Sequence, residues 1–150
     1  MNSETMREVF SNRIINVSLA MLYEAFANPL YLKRWWGPNG FSNTFHEFDL
    51  RPNGKWSLTM HGPEKGNYEN TVMFTTVEPQ KLVSWTRVTP PFFDMEVGFN
   101  AIDEHSSEIY FRMIFQTEEE RAKMVTFVAP KNEENFDRLE RELKENDGSY

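Results

Sequence analysis

The chain has 150 residues, a formal net charge of -7 and no cysteine, which excludes disulfides, thiolate metal sites and a cysteine nucleophile. Its length suits one domain, residues 1–150, with a core large enough to need no covalent staple. The acidic balance repels a phosphate backbone and no basic stripe offsets it; nor is any apolar run long enough to cross a bilayer. Neither a nucleic-acid partner nor membrane insertion is therefore expected.

The polar opening Met1-Asn2-Ser3-Glu4-Thr5 lacks the basic-then-apolar order of a signal peptide, so a cytoplasmic location is expected. Glu8 to Asn16 is rich in strand-favouring residues and reads as the first strand. Ser18 is placed to cap a helix over Leu19 to Phe26, where Leu19, Leu22, Tyr23 and Phe26 recur at helical spacing. Asn28-Pro29 supplies a second cap with proline at the first helical position, and this helix runs until Gly37-Pro38.

From Phe41 to Gln116 the apolar period changes to two, and turn residues recur at Pro52-Asn53-Gly54, Gly62 to Gly66, Glu78 to Lys81, Thr89-Pro90-Pro91 and Asp103 to His105. Six antiparallel strands are expected here, seven with the first. Trp56, Leu58 and Met60 alternate with polar neighbours, as do Phe93, Met95 and Val97, and later Phe111 and Met113. Strands of this kind have one apolar and one solvated face, so the sheet needs a cover on one side only.

The C-terminal segment supplies that cover. Thr117 followed by Glu120 has capping-box spacing and predicts a short helix to about Val125; Pro130 then predicts a break and a longer helix to about Asn146. On it Phe136, Leu139 and Leu143 form the apolar stripe. The pairs Glu134 with Arg138, Asp137 with Arg141 and Glu140 with Lys144 stand four apart on the other side. The fold class expected is α+β: a curved antiparallel sheet of about seven strands wrapped round a long C-terminal helix, with two short helices after the first strand.

Two motifs carry a family resemblance. Leu32 to Pro38, LKRWWGP, followed by Phe48 to Trp56, FDLRPNGKW, is similar to the paired signature of the activator of heat-shock-protein-90 ATPase family in its small bacterial branch, with supporting matches at Glu78 to Val83 and Thr117 to Arg121. The resemblance implies a helix-grip domain of the START-like, birch-pollen-allergen-like superfamily, in which sheet and C-terminal helix commonly enclose an apolar cavity. It also implies a chaperone as a partner. The eukaryotic activators make their main chaperone contact through a further N-terminal domain, so here that role rests on family likeness alone.

The residues that would face such a cavity are Trp36, Phe48, Trp56, Leu58 and Met60, with Phe93, Met95, Phe111, Met113 and Phe136 from the later elements. Each by itself reads better as core, but for the set the two readings come closer to even, because one gripping helix with a three-residue stripe leaves volume that the set would enclose. A small hydrophobic or amphipathic ligand is the expected partner. His46 shares the parity of Phe48 and is the candidate polar contact; Tyr68, Arg87 and Tyr110 stand behind it, their facing unassigned. His46, His61 and His105 lack metal-ligand spacing, and no phosphate-cradling glycine loop or dinucleotide fingerprint occurs, so no cofactor or metal is expected. A cyclase-like or hydratase-like enzyme, as among START-like relatives, would need a general acid or base such as His46 inside the cavity. Asp49 and Arg51 read as a solvated cross-strand ion pair beside the turn.

Overall fold

The computed structural model describes residues 6–145. The opening pentapeptide and the expected helix end at Asn146 lie outside the described residues. Seven strands, β1 (Glu8–Ile15), β2 (Ser42–Phe48), β3 (Lys55–His61), β4 (Asn67–Glu78), β5 (Leu82–Arg87), β6 (Phe93–Asp103) and β7 (Ser106–Phe115), form one antiparallel sheet in the order β1-β7-β6-β5-β4-β3-β2. Consecutive strands from β2 to β7 pair with their chain neighbours, as tight turns between them require, and β1 closes the far side against β7.

The two short helices form where their caps stand. Ser18 Oγ accepts from the Met21 N–H at the start of α1 (Leu19–Ala27), and Asn28 Oδ1 accepts from Leu30 ahead of α2 (Pro29–Trp35). Their buried faces bring Phe26 and Trp35 into the core, and the Trp35 indole N–H donates to the Ala25 carbonyl at 3.0 Å. A buried indole needs such an acceptor.

The sheet is strongly curled. β3 and β7 stand four strand spacings apart, about 19 Å on a flat sheet. Yet the Trp36 ring lies 5.1 Å from Trp56 on β3 and 5.7 Å from Phe111 on β7, centroid to centroid. One indole meets both only if the strands bend round it.

Across the open side runs α3 (Glu118–Glu145), with Thr117 Oγ1 accepting from the Glu120 N–H at its start. It is one continuous helix of 28 residues, which corrects the expected break at Pro130. Proline there forfeits the bond to the Thr126 carbonyl, at a cost of about 3 kcal/mol. Thr126 and Pro130 are both exposed, so water reaches the freed carbonyl. Packing holds the helix on both flanks of the proline: Met124, Val125 and Val128 before it, and the expected stripe of Phe136, Leu139 and Leu143, fully buried, after it.

The polar side of α3 serves tertiary contacts instead of the expected pairs along the helix. Arg13 from β1 reaches Asp137, Glu133 and Glu140 at 2.7–2.9 Å, and these three carboxylates outweigh its burial to hold the guanidinium above its ordinary pKa. Glu134 accepts from the Asn39 N–H. Arg138 donates to the carbonyls of Arg34, Trp36, Gly37, Pro38 and Phe41 at 2.8–3.1 Å, binding the chain after α2 to the helix. The outer face of the sheet is polar by comparison, with Arg112 paired to Glu8 and Glu96.

Candidate functional site

The corner after α2 and the turn after β2 set the inner wall. Gly37, at φ +99°, permits a sharp exit from α2, and a Cβ there would lie 2.8 Å from Met60 Cε. In the β2–β3 turn Asn53 takes φ 69°, and Gly54 passes so close to Asp49 that a Cβ would sit 2.0 Å from its carbonyl oxygen. Only glycine fits that approach. The turn is held to β4 by Asn53 N–H to Phe74 O at 2.8 Å and Phe74 N–H to Gly54 O at 2.9 Å. Trp56, the second residue of β3, is thereby placed with its ring against Trp36, Trp85, Phe45, Phe48 and Phe74.

Between these rings and α3 lies a cavity of about 250 Å³. Eight of the ten expected residues line it: Trp36, Trp56, Leu58 and Met60 on one side, Phe93, Met95, Phe111 and Met113 on the other. Two do not. Phe48 packs behind Trp56 and against Phe74, while Phe136 is fully buried, 4.6 Å from Phe111, under the cavity floor. The helix adds Met124, Val128, Lys131, Asn132 and Asn135. Of the lining residues, Pro91 and Lys131 are the exposed ones, so the opening lies between the β5–β6 turn and α3.

His46 is outside the cavity, a correction with a simple cause. The β2–β3 register shifts between Phe45 and Glu47, and this bulge puts Phe45 and Phe48, three residues apart, on the same face against Trp56. Parity counted back from Phe48 therefore fails at the bulge. His46 is half-exposed on the outer face, its Nε2 2.8 Å from Thr59 Oγ1, which itself donates to Glu69. Tyr68 is exposed and Tyr110 stacks on Phe10 outside the sheet. Asp49 and Arg51 do pair, at 2.8 Å, but within the turn and in solvent, not across strands.

Arg87 does line the cavity. It shares the inward parity of Val83 and Trp85, a signal present in β5 itself. Its guanidinium lies 5.3 Å from the Phe93 ring, its Nε donates to Thr89 O at 3.1 Å, and its Nη2 donates to Thr89 Oγ1 and Pro90 O. Burial lowers its pKa to about 10. Asn70, Val72 and Trp85 complete the wall from β4 and β5. The Asn135 amide donates to Trp35 O at 2.8 Å, that of Asn132 to Ser11 Oγ at 3.3 Å. The Trp56 indole N–H is buried with no acceptor among the described residues. Among those residues no cluster of His, Cys, Asp and Glu has the arrangement of a metal site, and no helix is long and apolar enough to cross a membrane.

A curled antiparallel sheet gripping a C-terminal helix over an aromatic cavity defines a helix-grip α+β protein, as expected. Residues 16–144 match the family described as Activator of Hsp90 ATPase homolog 1-like protein, and the chain belongs to it. Solved structures agree on the fold. A protein of Nitrosomonas europaea superposes with a TM-score of 0.85 at 20% identity, over 97% of this chain and 98% of that one. One from Arthrobacter aurescens gives 0.85 at 17%, over 97% and 90%. The AHSA1 protein of Silicibacter pomeroyi gives 0.75 at 17%, over 91% and 97%. No curated protein matches the chain.

Proposed function

We propose that this chain binds a small hydrophobic or amphipathic molecule in the cavity between sheet and C-terminal helix. The observation that carries the reading is a cavity of about 250 Å³ inside a core whose side chains are otherwise closely interlocked. Packing to native density would close such a space, and an empty one forfeits contacts with every ring around it. An engineered apolar void of about 150 Å³ already takes benzene, so this one has room for about two fused rings or a short chain.

The wall suits that role. Three tryptophans and two phenylalanines give flat surfaces, four methionines give surfaces that adjust, and the opening between Pro91 and Lys131 gives access. Its polar groups are three amides, one guanidinium and one ammonium, which orient a ligand or attract an anion.

The test is an amide NMR titration of the labelled chain against fatty acids, sterols, flavonoids and other aromatics. Saturable shifts centred on Trp56, Met95, Met113 and neighbouring Phe136 are expected for at least one class. Shifts confined to the outer face, or none, would overturn the reading.

A further inference from the structure

The cations of an acidic chain should find carboxylates, and several of the described arginines do. Arg13 has three, Arg112 two, Arg34 has Glu142 and Arg51 has Asp49. Arg87 is different. It lines an apolar cavity from β5, with Lys131 lining the same cavity from α3, and among the described residues neither has an acidic partner. Arg87 is bonded only to neutral oxygens, through Nε and Nη2, and the two N–H groups of its Nη1 have no acceptor among the described residues. Those same bonds to Thr89 and Pro90 fix the guanidinium in place before any ligand arrives. A fixed, half-buried guanidinium with spare donors is the usual receptor for a carboxylate.

We infer that the ligand is a monocarboxylic acid whose apolar body fills the cavity and whose carboxylate takes the Nη1 edge of Arg87, with Lys131 adding a second positive charge from the helix. The inference rests on the binding function proposed above and narrows it to an acid. The body contributes contact with the tryptophan and methionine wall. Discrimination comes from the guanidinium, which a neutral analogue leaves without its counter-charge.

The test uses 2-naphthoate and 2-naphthamide, which share a shape and differ in charge, titrated at pH 7.5 into the full chain and followed by amide NMR. Naphthoate is expected to bind tighter by about tenfold or more, the range of a charge-assisted hydrogen bond. In Arg87→Gln most of that preference should be lost, leaving only the share of Lys131, while cavity residues still shift with naphthamide; the naphthamide titration doubles as a check that the cavity is intact. Lys131→Gln, an exposed change that threatens no packing, should reduce the preference without abolishing it. Equal affinity for acid and amide in the unaltered chain, with cavity residues shifting, would overturn the acid and leave the cavity function standing. A preference unchanged in both variants would overturn it too. If neither probe moves the cavity residues, the acid falls, and the cavity function is then decided by the wider panel of fatty acids, sterols, flavonoids and other aromatics.

Discussion

Replacing Arg138 by glutamine should loosen the whole corner after α2. Its guanidinium donates to five backbone carbonyls, from Arg34 to Phe41, and three of these belong to Trp36, Gly37 and Pro38, which also line the cavity. A hydrogen bond from a charged donor contributes about 1.5–3 kcal/mol. The five share one half-buried group, and water reaches some of the freed oxygens, so the sum is smaller than the parts: about 2–4 kcal/mol in total. At this chain length that lowers the melting temperature by about 5–15 °C. Urea and thermal denaturation followed by far-ultraviolet circular dichroism measure it, with Arg141→Gln, exposed on the same helix, as the control expected within about 0.5 kcal/mol of the parent. Arg138→Lys keeps the charge but cannot fan across five acceptors, so it should recover only part of the loss. If Arg138→Gln proves no less stable than Arg141→Gln, the guanidinium is not what ties this corner to the helix.

Gly54→Ala should prevent recovery of folded protein, because its Cβ would meet a backbone oxygen at 2.0 Å and backbone cannot swing aside; a well-dispersed amide spectrum from that variant would contradict the geometry. Arg13→Met should cost about 1–3 kcal/mol after allowing for the exposure of its carboxylate partners, and the difference from the parent should shrink when urea denaturation is repeated at high salt. Trp36→Leu removes a ring that touches Phe26, Trp35, Trp56, Trp85 and Phe111. It should cost about 2–4 kcal/mol in urea denaturation while admitting probes larger than naphthalene to the widened cavity. Arg87→Met should match or exceed the parent's stability at neutral pH. Burial depresses the Arg87 pKa, so the folded state holds this proton less tightly than the unfolded chain, and the charged side chain opposes folding at every pH below about 10. A melting temperature clearly below the parent's would show that its bonds to Thr89 and Pro90 outweigh that cost.

The strands were legible because their signals are local. Trp56-Leu58-Met60 and Phe93-Met95-Val97 alternate, turn residues separate each run, and Ser18, Asn28-Pro29 and Thr117 mark helix starts that the structure reproduces. What misled was local evidence overruled by distant contacts. Pro130 reads as a break, but apolar residues on both of its flanks dock on the sheet and carry the helix through. Helical spacing pairs Glu134 with Arg138, yet each finds the backbone after α2, which comes near only when the sheet has folded. His46 failed because a bulge inserts a residue that alternation does not count. Arg87 could have been oriented from Val83 and Trp85, four and two positions earlier, whose side chains leave it no other face.

The four tryptophans of the chain meet in one cluster: Trp36 lies 5.7 Å from Trp35, 5.1 Å from Trp56 and 5.8 Å from Trp85, and Trp56 lies 5.4 Å from Trp85. At such separations their transition dipoles couple and excitation passes between rings before it is emitted. Emission from the indoles should therefore report on the cluster as a whole. Three members of the cluster are cavity wall, so a ligand bound in that space should alter the colour and lifetime of the light that the indoles return.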